Sequence, residues 1–213
     1  MSETEIDFAS LLCARLCHDL LSPVGAINNG LELLADEHDP EMRQRCMDLL
    51  AESAKAAADK LKFFRLAFGA AGGFGAEVDP IEAKLVIEPM VTSSGRTVLE
   101  WAVPAQMMPK RAVKILLNLV LLANDALVRG GTLSVGAEAR SGEQEIVIRA
   151  SGPKIIMDSA IRQALTGQLD PAAVDSRTAV AWAAHMLAVQ GGGILQLAEP
   201  DAEYLVIGAL ICV

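Results

Sequence analysis

Residues 36–40, Asp36-Glu37-His38-Asp39-Pro40, break an otherwise continuous helical pattern. Asp39 fits the N-cap of a following helix, and Pro40 fits its first position, where a missing N–H costs no helical hydrogen bond. On both sides of the break apolar residues recur at spacings of three and four, which is typical of amphipathic helices. Before the break this stripe consists of Phe8, Leu12, Leu16, Leu20, Pro23, Ile27, Leu31 and Leu34. After the break it consists of Met42, Cys46, Leu49, Ser53, Ala57, Phe64 and Phe68.

Two long helices joined by such a short turn form an antiparallel hairpin. A hairpin alone cannot cover both of its apolar stripes, so a second copy would complete a four-helix bundle. Burial alone therefore predicts a homodimer. Packing of the hairpin on the rest of the chain would also cover the stripes, and that alternative stays open.

A glycine-rich segment at residues 69–75 predicts the end of the second helix and a linker. We therefore expect two domains, the hairpin in residues 1–72 and a second domain in residues 73–213. The second domain mixes helical and strand patterns, which predicts an α/β sandwich with helices on one face of a sheet and an α+β class for the whole chain. Its expected helices are 80–91, 109–128, 158–165 and 176–190, and its expected strands are 97–103, 133–139, 145–150, 194–198 and 203–212.

Composition and charge exclude several function classes. The chain has 213 residues and a formal net charge of −9, whereas binding to nucleic-acid phosphates needs clustered Lys and Arg, so nucleic acid is not an expected partner. The acidic start of the chain lacks the basic and apolar regions of a secretory signal. The apolar run 115–123 is shorter than the ~20 residues of a membrane-spanning helix. We expect a cytoplasmic protein with no membrane contact and with its four cysteines reduced.

Cys13, Cys17 and His18 lie close together in the first helix. Helical spacing brings the two thiols together, but the imidazole points elsewhere and no fourth ligand is evident. The sequence therefore predicts no metal site.

His18 is the candidate catalytic residue. At 3.6 residues per turn it lies almost opposite the apolar stripe, so its imidazole should face solvent. Ser22 and Gly25 on the same side are small and leave the ring accessible to a second protein. Asp19 can accept a hydrogen bond from the ring and so fix which nitrogen is nucleophilic. Pro23 removes a backbone hydrogen bond and is expected to kink or loosen the helix downstream, a combination that favours a functional site over an ordinary surface histidine.

The segment Cys17-His18-Asp19-Leu20-Leu21-Ser22-Pro23 resembles the H box of sensor histidine kinases, and the hairpin resembles their dimerisation and phosphotransfer domain. The resemblance implies that His18 carries the phosphoryl group and that Asp19 is its acid-base partner, with Ser22 and Pro23 supporting the site. Leu21 departs from the box, where kinases commonly have Arg. Arg15, one turn before His18, is a candidate for steadying the phosphoryl oxygens, with a solvated helix charge as the alternative.

The second domain is similar to the Bergerat-type ATP-binding domain of these kinases, and we compared its functional boxes one at a time. Segment 116–123 resembles the N box, in which Asn118 matches the first asparagine. Leu122 stands where the family places a magnesium-binding asparagine. Segment 151–154 resembles the first glycine box, but Ala150 replaces the aspartate that accepts from adenine.

The phosphate lid departs as well. Glycines there let backbone N–H groups approach phosphates at a helix N-terminus, and this chain has Arg177 and Ala179 at the corresponding places. Three boxes have changed while the order of helices and strands is kept. We therefore expect a degenerate domain that binds no nucleotide.

A histidine-bearing hairpin joined to such a domain resembles the ChpT-type histidine phosphotransferases over nearly the whole chain. The resemblance implies a homodimer that accepts a phosphoryl group from the receiver domain of a hybrid histidine kinase and passes it to response-regulator receivers in cell-cycle signalling. It implies no cofactor of the protein's own, because the receiver's acidic cluster holds the Mg²⁺. Two alternatives remain, namely an ATP-dependent histidine kinase with divergent boxes and a non-catalytic dimeric adaptor that docks response regulators.

Overall fold

A computed structural model describes residues 3–69, 76–199 and 201–212 of the chain. The elements in chain order are α1 (Glu3–Asp36), α2 (Pro40–Phe68), β1 (Glu77–Val78), α3 (Pro80–Thr92), β2 (Thr97–Ala102), β3 (Met108–Pro109), α4 (Lys110–Ala126), β4 (Gly131–Arg140), β5 (Glu143–Ser151), α5 (Ser159–Leu165), a 3₁₀ turn (Pro171–Ala173), α6 (Ala179–Gln190), β6 (Ile194–Leu197) and β7 (Tyr204–Cys212). No helix within these three ranges combines the length and the apolar character needed to cross a membrane.

Helices α1 and α2 form the predicted hairpin. The Asp39 carboxylate accepts two backbone N–H bonds from the first turn of α2, at 2.8 and 3.2 Å, and Pro40 is the first residue of that helix. Both are the roles expected from the sequence. The second helix ends at Phe68, and Gly69, the first residue of the predicted linker at 69–75, is its C-cap. The rest of that linker and the expected domain boundary lie outside the described residues.

A five-stranded mixed sheet follows, in the order β2-β4-β5-β7-β6. The β2–β4 pair is parallel and the other three pairs are antiparallel. Burial alternates along β5 and β7, so one face of the sheet is covered by helices and the other is open. This confirms the predicted α+β class. The short antiparallel pair β1–β3 was not predicted, because two-residue strands leave too little periodicity to detect.

The last two turns of α2 belong to the same apolar core as the sheet and α4. Phe63, Phe64, Leu66 and Ala67 are all buried in that core, and Leu16 of α1 packs against it. The prediction that Phe64 faces a second copy of the chain is therefore wrong, because its own second half covers it. The open alternative, packing of the hairpin on the rest of the chain, holds for this part of the stripes.

Helix α6 begins at Ala179, three residues later than the sequence predicts. Asp175 accounts for the difference, because its carboxylate accepts the backbone N–H groups of Arg177 and Thr178, both at 2.9 Å. Such an Asx turn competes with helical hydrogen bonds and delays the helix start.

Candidate functional site

His18 lies in the middle of α1 with its imidazole in solvent. Its side chain is 82% exposed, as the helical spacing predicts. Helix α1 continues through Pro23 without an interruption, so the expected loosening does not end the helix. A second protein can therefore reach the ring directly.

Asp19 holds one edge of the His18 ring. Its Oδ1 lies 3.2 Å from His18 Nδ1, and only 14% of its side chain is exposed. A carboxylate accepts here, so the favoured tautomer carries its proton on Nδ1 and leaves the lone pair of Nε2 pointing outward. The arrangement suits a nucleophilic imidazole.

Arg15 is occupied by two carboxylates. Its Nε donates to Asp19 Oδ2 at 2.8 Å, and its terminal NH2 group donates to Asp125 Oδ2 at 2.6 Å. Burial alone would lower the pKa of Arg15, but Asp125 and Asp19 together raise it. Because the side chain is only 16% exposed, Arg15 is not the solvated helix charge considered as an alternative. Its guanidinium joins α1 to α4, and any contact with phosphoryl oxygens stays a prediction.

Pro23 leaves one backbone acceptor of α1 free. The carbonyl of residue 19 would normally accept the N–H of residue 23, and proline has none. Lys60 of α2 replaces the missing donor, because its Nζ donates to the Asp19 carbonyl oxygen at 2.7 Å. The proline therefore opens a contact between the two helices directly beneath the histidine.

Ser22 and Pro23 line an open cleft of about 570 Å³ between the hairpin and the end of α3. Ser22 is exposed, whereas Pro23 is buried. Lys55 and Ser93 line the same cleft from α2 and from the segment after α3. The cleft begins at Ser22, one turn from His18.

Comparison with known proteins identifies the family. Residues 80–203, more than half of the chain, match the family described as the histidine phosphotransferase C-terminal domain. The protein phosphotransferase ChpT of Brucella abortus (strain 2308) is 35% identical over 204 residues, which cover 96% of this chain and 95% of that protein. The chain belongs to the ChpT-type histidine phosphotransferases. Its activity is protein phosphotransfer within a two-component phosphorelay.

Two solved structures are similar to this chain. A structure of a bacterial phosphotransferase superposes on this phosphotransferase with a TM-score of 0.84 at 32% identity, covering 98% of this chain and 97% of the other. The histidine kinase domain of a blue-light-activated kinase from Erythrobacter litoralis gives a TM-score of 0.50 at 9% identity, covering 90% and 94%. The second likeness concerns the fold alone.

The positions compared with the N box are buried in this family member. Asn118 is 0% exposed and donates from Nδ2 to Lys114 O at 2.7 Å, and Leu122 is 2% exposed in the core. Lys114 Nζ donates to Gly69 O at the end of α2, at 2.7 Å. Lys114, Asn118 and Asp125 share one face of α4 by helical spacing, so that face is turned toward the hairpin.

The remaining compared positions are either buried or already paired. Ala150 is fully buried in β5, and Ala179 is fully buried in the first turn of α6. Arg177 lies mostly in solvent and pairs with Asp175 at 3.2 Å. Within the part of the chain that the structure describes, no group of three or more His, Cys, Asp or Glu side chains is arranged to hold a metal ion.

Two residues of the site escaped the sequence analysis, namely Lys60 and Asp125. The contact of Lys60 could have been predicted, because a proline inside a helix leaves the carbonyl four residues earlier without its helical N–H donor. The turn at 37–39 places residues 19 and 60 at similar distances along the two helices. The contact of Asp125 with Arg15 could not have been predicted, because it depends on how the second half of the chain packs on the hairpin.

Proposed function

We propose that His18 is the phosphoryl carrier of this phosphotransferase. It accepts the group from the aspartyl phosphate of a hybrid kinase's receiver domain and donates it to the receiver domains of response regulators. The observation that carries the proposal is the exposed imidazole whose Nδ1 faces the Asp19 carboxylate, which leaves Nε2 free for attack.

The reaction proceeds by in-line displacement at phosphorus. The Nε2 lone pair forms the new N–P bond as the bond from phosphorus to the aspartyl oxygen breaks, and the donor aspartate leaves as a carboxylate. Asp19 holds the Nδ1 proton and stabilises the positive charge that develops on the ring. The reverse sequence delivers the group to a second receiver. Mg²⁺ bound by the receiver's own acidic residues neutralises the phosphoryl oxygens, so this chain needs no cofactor of its own.

A role as an ATP-dependent kinase is disfavoured by the position of α4. Its N-box-like face packs toward the hairpin, and Asn118 and Leu122 have almost no contact with solvent. A nucleotide would need that face open. The proposal therefore includes a second domain that does not bind ATP.

The proposed assembly is a cytoplasmic homodimer through the hairpin. Several large apolar side chains of α1 and α2 are about half exposed or more in the single chain, and burying them in a four-helix bundle would be favourable at ~25 cal/mol per Å² of apolar area. These side chains are Leu21, Val24, Leu31, Leu33, Met42, Met47, Leu49 and Leu61. Of the stripe expected for α1, only Leu31 is in this set, because the other described side chains of that stripe are at least half covered within the chain.

Transfer from a radiolabelled donor receiver tests the carrier role. The parent protein should acquire an acid-labile, base-stable label, and His18→Ala should acquire none. His38→Ala is the matched control, because His38 is also exposed but lies at the hairpin turn. Incubation of the parent with ATP and Mg²⁺ alone should give no label. Equal labelling of His18→Ala and parent would refute the carrier role, and labelling from ATP alone would return the protein to the kinase class. Signalling that survives in His18→Ala would favour the adaptor.

A further inference from the structure

Asp125 lies at the last turn of α4, in the second half of the chain, yet its carboxylate contacts the helix that bears His18. Its Oδ2 accepts from the Arg15 guanidinium at 2.6 Å. The same guanidinium donates to Asp19 at 2.8 Å, and Asp19 in turn lies 3.2 Å from His18 Nδ1. Four side chains thus form one line of contacts from the sheet domain, the expected second domain of residues 73–213, to the reactive ring.

We propose that Asp125 is a positioning residue for His18. Resting on the proposed carrier role of His18, the inference is that Asp125 fixes Arg15, Arg15 fixes Asp19, and Asp19 sets the orientation and tautomer of the imidazole. The sheet domain then contributes to phosphoryl transfer through a carboxylate, without touching the reacting atoms.

The first argument concerns what holds the ring. At 82% exposure His18 has little packing, and its one side-chain hydrogen-bond partner within the described residues is Asp19. The ring can be no better ordered than that carboxylate. Asp19 needs its own anchor, and Arg15 supplies it through a charge-assisted bond.

The second argument concerns Arg15 itself. Arginine has a long, flexible side chain, and a single exposed pair on one helix orders it weakly. Here Nε and the NH2 group bind two different carboxylates, one on α1 and one on α4. The low exposure of Arg15 and Asp19, 16% and 14%, strengthens the contact between them relative to a surface pair, whereas Asp125 is 41% exposed and holds the guanidinium from its more open side. Removing the α4 carboxylate leaves the guanidinium free to swing away from Asp19.

The third argument concerns the second domain. In the proposed function this domain binds no nucleotide, and its packing against the hairpin serves another purpose. It holds α4 at a fixed distance from α1, which the contact between Asp125 and Arg15 requires. Phe63 and Phe64, buried between α2 and the sheet domain, hold that distance.

The test compares Asp125→Asn with Asp125→Glu in the full-length protein. Asp125→Asn should slow phosphoryl transfer from a donor receiver by about 10- to 100-fold, as expected when a reacting group loses its alignment. Asp125→Glu keeps the carboxylate and should recover most of the rate. Glu138→Gln is the matched control, because it breaks an exposed ion pair with Arg140 on β4 and should leave the rate unchanged.

A nitrogen-15 NMR spectrum separates positioning from mere loss of structure. The chain has three histidines, so the two others serve as internal references. In the parent the His18 proton should reside on Nδ1, and in Asp125→Asn a substantial fraction should move to Nε2 while the reference signals stay in place. If Asp125→Asn does not fold, Arg15→Lys offers the same comparison, since an ammonium group cannot reproduce the two-sided guanidinium contact.

An Asp125→Asn protein with the parent's rate and the parent's His18 tautomer would overturn the inference. Rescue by Asp125→Glu together with a shifted tautomer in Asp125→Asn supports it. If the parent protein accepts no phosphoryl group, the proposed carrier role is refuted. The His18 tautomer in parent and Asp125→Asn still tests the positioning of the ring independently.

Discussion

Lys60→Met should destabilise the protein only while residue 23 is proline. In the parent, Lys60 Nζ donates to the Asp19 carbonyl that Pro23 leaves without a helical partner. A hydrogen bond involving a charged group contributes about 1.5–3 kcal/mol, and an unpaired buried carbonyl costs about 1–3 kcal/mol. Because the bond is only partly buried and borders open clefts that admit water, we expect a loss of about 1–2 kcal/mol.

The Pro23→Ala background should remove most of that cost. Alanine restores an N–H at position 23, which can donate to the Asp19 carbonyl within the helix. Lys60→Met should then cost less than about 0.5 kcal/mol, which gives a coupling energy of about 1 kcal/mol in the double-mutant cycle.

Urea unfolding of the four proteins measures this coupling. All four must be compared at one protein concentration, because the proposed dimer would make the midpoint depend on concentration. Lys84→Met is the control, since the structure gives Lys84 no side-chain hydrogen bond among the described residues. Equal costs of Lys60→Met in the proline and alanine backgrounds would show that the lysine does not serve the freed carbonyl.

Two further predictions concern stability against pH and assembly. Hydrogen bonds from Lys55 and Lys62 hold the pKa of Asp59 below its ordinary value of 3.8. That stabilisation is complete above 3.8 and is lost as the pH falls through the lower folded-state pKa, so Asp59→Asn should cost about 0.5–1 kcal/mol at neutral pH and nothing in strong acid. Urea unfolding measures the difference in unfolding free energy between the parent and Asp59→Asn. A difference that stays constant from neutral pH to strong acid would contradict this role of Asp59. Leu49→Glu should convert a dimer into monomers in light scattering, whereas Leu85→Glu, at a more exposed leucine on α3, should not change the mass. A monomeric parent would refute the hairpin dimer.

The hairpin and the exposure of His18 could be predicted because they follow from local rules. Asp39 and Pro40 mark a helix start whatever else the chain does, and a residue opposite an apolar stripe faces solvent wherever the helix lies. The class of the second domain follows in the same way from alternating patterns on its strands and helices.

The contacts of Arg15 could not be predicted from the sequence. The sequence places Arg15 one turn from His18, but its partner Asp125 lies 110 residues further along. The burial of Phe64 in its own chain could not be predicted either. Periodicity places Phe64 on the apolar face of a helix but does not show which neighbour covers that face. Both depend on tertiary packing between separate parts of the chain.

The burial of α4 against the hairpin bears on what a nucleotide site on this helix would require. Leu122→Asn would introduce the side chain that kinases have at this place in the N box, yet the new amide would lie at a position that is 2% exposed. An unpaired buried amide costs about 1–3 kcal/mol, so this single substitution would destabilise the fold. Opening this face of α4 would require the hairpin to separate from it, which would also break the Arg15–Asp125 contact. The packing of α4 therefore makes a nucleotide site costly to build there by single substitutions.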